Sequence, residues 1–422
     1  MQDPVLITGA RITPIAFVDP PLLNTVGVHQ PYALRAIIQL DTDAGVVGLG
    51  ETYADTAHLA RLDAAAQAIT GLDVFALNAI RDAVDTVLGT LSITGGDGVA
   101  GMITTASTTD RVFSPFEIAC LDVQGKVLGR PVSDLLGGKV RDSVPFSAYL
   151  FYKWAAHPGR QPDEWGEAVD PAGLVRQARK MIDEYGFEAI KVKGGVFPPD
   201  EEIAGIKALR EVFPELPLRL DPNAAWTVDT SIRVASELDG IVEYLEDPTP
   251  GLDGMAEVAR EAKMPLATNM CVVAFDHLKP AVVKDSAQVV LSDHHYWGGL
   301  QRSRLLAGIC DTFELGLSMH SNSHLGISLA AMVHLAAATP NLTYACDTHW
   351  PWKHEDVIVP GVLNFVDGAV PVPSGPGLGI EIDEDALAAL HQQYLDCGIR
   401  DRDDTGYMQS IDPSFENTCP RW

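Results

Sequence analysis

Residues 189–195 read Ala189-Ile190-Lys191-Val192-Lys193-Gly194-Gly195. A short apolar run carries two lysines two places apart and stops at a glycine pair. On a β-strand, residues i and i+2 share a face. Lys191 and Lys193 therefore point one way, and Ile190 and Val192 point the other. Paired ammonium groups are tolerable either on a solvated edge strand or at the mouth of a barrel lumen. The flanking sequence decides between the two.

Working outward, the same rhythm repeats. Short apolar runs ending in a polar residue occur at Pro145–Phe151, Ala189–Lys193, Leu216–Asp221, Ile241–Glu246, Pro265–Asn269, Val289–Asp293, Gly316–His320 and Thr343–Asp347, with helical stretches between them. From the second run onward the polar ends fall at 193, 221, 246, 269, 293, 320 and 347, steps of 28, 25, 23, 24, 27 and 27 residues. Eight strand–helix units of a barrel take ~250 residues, about this length each. Strand–helix alternation implies a parallel sheet, and the count predicts closure into a (β/α)8-type TIM barrel. A doubly wound open sheet would not place polar strand ends so regularly, and no Gly-rich dinucleotide fingerprint follows any strand.

The chain is an α/β protein with more than one part. Residues 1–135 read as an α+β capping domain, 136–367 as the barrel, and 368–422 as a segment that returns to pack on the first domain. Within the first, Val5–Phe17 alternates loosely, Pro20–Tyr32 reads as a loop, and Leu34–Leu40 and Val46–Glu51 form a hairpin pattern around Thr42-Asp43-Ala44-Gly45. Helical spacing runs from Ala57 to Leu88 and from Phe116 to Leu128, where Gly129-Arg130-Pro131 stops it; 89–110, rich in Gly, Thr and Ser, reads as a loop.

Bulk properties exclude several partners. Lys and Arg number 30 against 57 Asp and Glu, a net charge of −27, which disfavours nucleic acid and anionic membrane. An anionic substrate would need local cations to overcome that field. No run approaches the ~18 apolar residues of a membrane helix. The opening Met1-Gln-Asp-Pro has neither the basic nor the apolar region of a signal peptide, and the six cysteines (Cys120, Cys271, Cys310, Cys346, Cys397, Cys419) are widely spaced. Reduced thiols and a cytoplasmic location are expected.

In a barrel the active site lies at the carboxyl ends of the strands. The sequence delivers Lys191 and Lys193, Asp221, Glu246, Asn269, Asp293 and His320 to that ring. Side-by-side ammonium groups are expected to depress each other's proton affinity, making a lysine usable as a base. Asp221, Glu246 and Asn269 are oxygen donors on successive strands, a set that suits Mg²⁺ as cofactor. Taken singly, each could be only a turn or cap residue. Asp293 orienting His320 would give a second acid/base. The additional His294, His295 and His324 raise a zinc alternative, but Ser321-Asn322-Ser323 is a poor helix interior between His320 and His324.

These motifs carry a family resemblance. Lys191-Val192-Lys193-Gly194-Gly195, Asp221-Pro222-Asn223, Glu246-Asp247-Pro248, Ala267-Thr268-Asn269-Met270, Asp293-His294-His295-Tyr296-Trp297, His320-Ser321-Asn322-Ser323-His324 and Asp347-Thr348-His349-Trp350 resemble the glucarate dehydratases of the enolase superfamily, over nearly the whole chain. The resemblance implies a modified (β/α)7β barrel and a Mg²⁺ ion held by Asp221, Glu246 and Asn269. It implies Lys193 as base on one face, Lys191 assisting electrostatically, His320 held by Asp293 on the other face, and Asn223 supporting the enolate. It further implies substrate contacts from Asn24, His29, Thr108 or Thr109, Tyr149, Phe151 and Arg402. An Arg with His and Asn on capping loops suits a distal carboxylate.

The implied activity is dehydration of an acid sugar, D-glucarate preferred, by α-proton abstraction, enediolate stabilisation and β-elimination of water to a keto-deoxy-glucarate. Other aldarates or aldonates such as galactarate, epimerisation, and acid-sugar binding without turnover remain alternatives. Relatives assemble as homo-oligomers, and the same is expected here. Residues 89–107 and 153–170 diverge from the family pattern.

Overall fold

The computed structural model describes residues 3–90 and 105–422. Most of the divergent 89–107 segment, namely 91–104, lies outside the described residues. The chain opens with β1 (Ile7–Val18), the short hairpin β2 (Leu23–Asn24) and β3 (Gly27–Val28), then β4 (Tyr32–Thr42) and β5 (Val47–Tyr53). β1, β4 and β5 form an antiparallel sheet in that order. Helices α1 (Thr56–Ile69), α2 (Leu77–Leu88), α3 (Thr105–Leu128) and α4 (Val132–Leu135) follow. The continuous helix expected over 57–88 is broken by a turn in which Gly71 adopts φ 88° and donates its N–H to Ile7 O.

Helix α3 starts earlier than the sequence suggests, so residues 105–110 are helix and not loop. It packs on β5 closely enough that a side chain at Gly48 would strike Ala119 O and one at Gly50 would strike Pro115 O. Glycine is required at both positions, and that contact carries the helix through Pro115 despite the lost N–H.

The barrel begins with β6 (Ser143–Pro145) and β7 (Ala148–Phe151). These split the single run expected over 145–151, because Pro145 pairs antiparallel with a later strand. Then come α5 (Pro171–Tyr185), β8 (Ile190–Lys193), α6 (Pro199–Val212), β9 (Leu218–Asp221), α7 (Val228–Glu237), β10 (Tyr244–Glu246), α8 (Gly251–Glu261), β11 (Leu266–Thr268), α9 (Phe275–Lys284), β12 (Val289–Ser292), α10 (Leu300–Thr312), β13 (Gly316–Met319) and α11 (Gly326–Ala337). β7 to β13 form one seven-stranded parallel sheet in chain order, with helices between, as the 23–28-residue rhythm predicts.

The eighth run, 343–347, is not a strand. It fills the eighth place as an irregular bridge: Tyr344 N and Asp347 N donate to Leu317 O and Met319 O on β13, and Cys346 N donates to Pro145 O. Ser147 N donates back to Cys346 O. Both edges of the parallel sheet are thereby tied together.

A short 3₁₀ turn spans Trp350–Trp352, and β14 (Ala369–Pro371) pairs with β6. Helix α12 (Glu384–Cys397) lies against β1, where His391 Nδ1 bonds Pro14 O (2.7 Å) and Gln393 Nε2 bonds Ala16 O (2.9 Å). Helix α13 (Asp404–Ile411) packs by β3. No helix among the described residues is long and apolar enough to cross a membrane.

Candidate active site

The tip of β8 sets the chemistry. Parallel pairing places Lys193 beside Asp221 on β9, and Phe151 of β7 on its other side. Lys193 Nζ donates to Asp221 Oδ2 (2.7 Å) and Asn223 Oδ1 (2.9 Å). Asn223 reaches it because Asn223 and Ala224 both take left-handed backbone, φ 55° and 63°, which is strained for alanine. Lys191, one pleat deeper, is fully buried; its Nζ donates to Glu246 Oε1 and Asp347 Oδ2, both at 2.8 Å, and lies 3.5 Å from Asp221 Oδ2.

This arrangement corrects one expectation. Burial alone would lower the proton affinity of Lys191, but Asp347, Glu246, Tyr149 and Asp221 outweigh it and hold the ammonium well above the usual lysine range. The carboxylates around Lys191, not its neighbouring lysine, decide its charge. Asp221 shares that field. Burial pushes its carboxyl up, and Lys193 and Lys191 bring it below the usual value. Glu246 goes the other way, raised by burial and by Asp221.

Asp221, Glu246 and Asn269 occupy the tips of adjacent paired strands β9, β10 and β11. Asp247 fixes the last of them by accepting the Asn269 N–H (2.8 Å) and the Thr268 hydroxyl (2.6 Å). The Asn269 carbonyl oxygen is buried without a hydrogen-bond partner. An orphaned buried acceptor costs about 1–3 kcal/mol. Two carboxylates beside an unpaired amide oxygen, with no sulfur or imidazole among them, fit a hard divalent cation.

On β12 and β13 the tips carry Asp293 and His320. Asp293 Oδ2 accepts from His320 Nδ1 (3.0 Å), and Oδ1 accepts from His295 Nδ1 (2.7 Å) and the His295 amide (2.9 Å). Burial would raise the Asp293 carboxyl, but the two imidazoles hold it well below the usual carboxylate range. Asp293, His294 and His295 lie close enough to suggest a metal cluster. They are poorly suited to zinc, because both His295 nitrogens are engaged and Arg35, a cation, sits 2.9 Å from Nε2.

Above the ring opens a cavity of about 260 Å³. Lys193, Asn223, Asn269 and His320 line it, as do Asn24, His29, Tyr149, Phe151 and Arg402. Lys191, Asp221, Glu246 and Asp293 lie behind them, buried. Thr108 and Thr109 are not ahead of α3 but on it, and among the described residues neither lines the cavity. Arg402 Nη2 (2.7 Å) and Asn24 Nδ2 (3.3 Å) both donate to Asp404 Oδ2, so part of the expected anion-binding capacity is already engaged internally. His29 Nδ1 is held by Asp19 (3.0 Å).

Sequence reasoning passed over Asp347, Asp247, Asp404, His349 and Tyr53. Asp347 carried a signal, being the eighth polar run end at the right spacing. Tyr53 and His349 line the cavity from segments without a barrel period.

The chain is similar to known proteins along its length. Residues 173–386 match the model "Enolase C-terminal domain-like", and 18–137 match "Mandelate racemase / muconate lactonizing enzyme, N-terminal domain". It is 52% identical over 432 aligned positions, covering 100% of both chains, to a probable glucarate dehydratase of Streptomyces coelicolor. Among solved structures, an enolase from Mycobacterium smegmatis complexed with tartrate is 76% identical, with a TM-score of 0.96 over 100% of both chains. An enolase from Pseudomonas fluorescens with bound magnesium, potassium and tartrate is 50% identical, with a TM-score of 0.95 over 100% of both.

Proposed function

This chain belongs to the enolase superfamily, and we propose that it is an acid-sugar dehydratase acting on D-glucarate. The observation that carries the reading is that Lys193 and His320, each held by its own carboxylate, face one cavity that Asn269 also lines, with the oxygen donors Asp221 and Glu246 buried on the neighbouring strand tips behind it. Support comes from the 52% identity to a probable glucarate dehydratase and from similar enzymes bound to tartrate, a small hydroxy diacid. Asp221, Glu246 and Asn269 would hold Mg²⁺, which supplies a Lewis acid that offsets the charge gained by the substrate carboxylate.

As the neutral amine, with its two N–H groups donating to Asp221 and Asn223, Lys193 Nζ takes the α-proton on its lone pair, and the C–H electron pair becomes the new carbon–carbon double bond. The β-carbon–oxygen bond breaks with its electrons on oxygen. His320 gives that oxygen a proton from Nε2, so that water leaves and the resulting enol tautomerises to the keto acid. Asp293 stabilises the imidazolium that must precede this transfer. Asn223 Oδ1 and Asp221 orient Lys193 Nζ, and Lys191 supplies a fixed positive charge beneath the site. Asn24, His29 and Arg402 would meet the distal carboxylate, with Asp404 limiting how strongly.

The test is a screen of aldarates and aldonates for keto-acid formation with Mg²⁺ present. Keto-acid from D-glucarate is expected. Water loss from an aldonate or galactarate alone would overturn the substrate. Inversion at the α-carbon without water loss would replace dehydration by epimerisation, which paired bases also permit.

A further inference from the structure

We propose that Arg35, on the N-terminal sheet, is a positioning residue that sets the proton arrangement of His320 through His295 and Asp293. The inference rests on the reading of His320 as an acid/base. It starts from a guanidinium in an unusual place: Arg35 lies on β4, is 1% exposed, and points out of its own sheet into the barrel. Its Nε donates to Glu51 Oε1 (2.9 Å), and its Nη2 to His295 Nε2 (2.9 Å) and Ser328 Oγ (3.3 Å).

A guanidinium can only donate. His295 Nε2 must therefore be the bare, accepting nitrogen. Ser328 Oγ, also 2.9 Å from Nε2, accepts from Arg35 Nη2 and can give its own hydroxyl proton to that nitrogen. The single ring proton of His295 is then on Nδ1, where it meets Asp293 Oδ1. With the His295 amide on the same oxygen, Oδ1 is saturated and Oδ2 is left for His320 Nδ1. His320 in turn keeps its Nδ1 proton and offers Nε2 for chemistry. Three consecutive hydrogen bonds thus join a cation of the capping sheet to the imidazole of β13.

Without Arg35 this order is lost. His295 could carry its proton on Nε2, or carry two, and in the latter form it would neutralise the Asp293 charge that serves His320. Partners that orient a metal-bound histidine through its second nitrogen are worth about 10- to 100-fold in affinity or activity, and the same scale is expected for this acid/base histidine.

Beside Arg35, Ser328 Oγ also meets His295 Nε2, but a hydroxyl accepts as readily as it donates and so does not by itself fix the tautomer. The Tyr53 ring stacks under Arg35 at 4.6 Å and is shared with Arg111 at 4.8 Å. The His294 ring centroid lies 4.0 Å from that of His295, Tyr53 packs edge-on to it at 5.7 Å with Tyr296 packed on Tyr53 in turn, and His58 and His324 are further titratable groups coupled to its charge. Glu51 extends the link, because it also accepts the N–H groups of Leu325 and Ser328 (both 2.8 Å) at the start of α11, just after the His320 loop.

The experiment uses the full chain with Mg²⁺, as Arg35→Met, as Arg35→Met/Glu51→Gln (which avoids stranding a buried carboxylate) and as Arg35→Lys. Histidine-labelled protein is followed by ¹⁵N NMR, and kcat and its pH profile are measured on D-glucarate. We expect both Met variants to lose the Nδ1–H, bare-Nε2 signature of His295. Their kcat should fall about 10- to 100-fold, with a displaced pH profile and little change in KM, and Arg35→Lys should recover part of it. A folded Arg35→Met/Glu51→Gln protein with the native His295 signature and unchanged kcat would overturn the proposal. If no acid sugar is turned over by the native enzyme, the assigned activity fails, while the NMR arm still reports on the hydrogen-bond chain.

Discussion

Replacing Asp293 by asparagine changes no shape, so its effect can be followed donor by donor. Native Asp293 accepts three N–H groups, two on Oδ1 from His295 and one on Oδ2 from His320. Asparagine keeps one acceptor and turns the other into NH₂. Facing His295, that NH₂ would meet two donors, and the His295 ring proton cannot retreat to Nε2 because the Arg35 guanidinium donates there. The amide therefore turns its NH₂ to His320. His320 Nδ1 must become an acceptor, its proton moves to Nε2, and the imidazolium needed to protonate the leaving hydroxyl loses its counter-charge. General acid catalysis contributes about 10²–10⁴-fold, and a wrong tautomer behind a catalytic histidine in a Ser-His-Asp triad costs ~10⁴. We expect kcat to fall about 10³- to 10⁴-fold, roughly 4–5.5 kcal/mol of barrier. Stability should change far less, since the lost charge-assisted bonds, about 1.5–3 kcal/mol each, are offset by no longer burying a carboxylate. Turnover on D-glucarate and a thermal melt of the same sample measure both. A folded Asp293→Asn enzyme with kcat within about tenfold of the native value would refute the tautomer reasoning.

Lys193→Met should abolish turnover by at least ~10² while the protein stays folded, read by keto-acid formation and circular dichroism. Glu51 is brought to about 2 from 4.5: burial works against this, and Arg35, His324 and the Leu325 and Ser328 amides prevail. A depressed carboxyl stabilises the fold above about pH 4.5 and loses that contribution as pH falls toward 2, about 3 kcal/mol in all. Glu51→Gln should therefore flatten the acid dependence of urea unfolding between those pH values, and an unchanged slope would contradict the assignment. A chelator should remove activity and Mg²⁺ restore it. Asn269→Leu, which removes the orphaned oxygen, should raise the Mg²⁺ concentration needed for half-maximal activity more than it changes KM for the sugar.

The barrel was legible because its periodicity is local. Each strand is short, apolar and ends in a polar group, and the spacing of those ends follows from the length of a strand plus a returning helix. Irregular segments were not legible. Residues 343–347 have the composition of a strand, but their hydrogen bonds are shared between β13 and the Pro145–Ser147 backbone, where a proline breaks the ladder. The first turns of α3 are Ser/Thr-rich and precede Pro115, a composition that reads as loop. Two glycines on β5, far earlier in the chain, seat the middle of the same helix at Pro115 and Ala119.

The site divides along the same line. Residues that a strand tip presents, from Lys191 to His320, can be placed from spacing alone, because parallel register fixes which tips are neighbours. The charges that set their protonation come from elsewhere: Asp347 from the irregular eighth segment, and Arg35 and Glu51 from the other sheet. No periodicity links position 35 to position 295, and only the packed structure shows that a capping-domain cation faces a barrel imidazole. On the role proposed for Arg35, the cap takes part in the acid/base chemistry as well as lining the cavity.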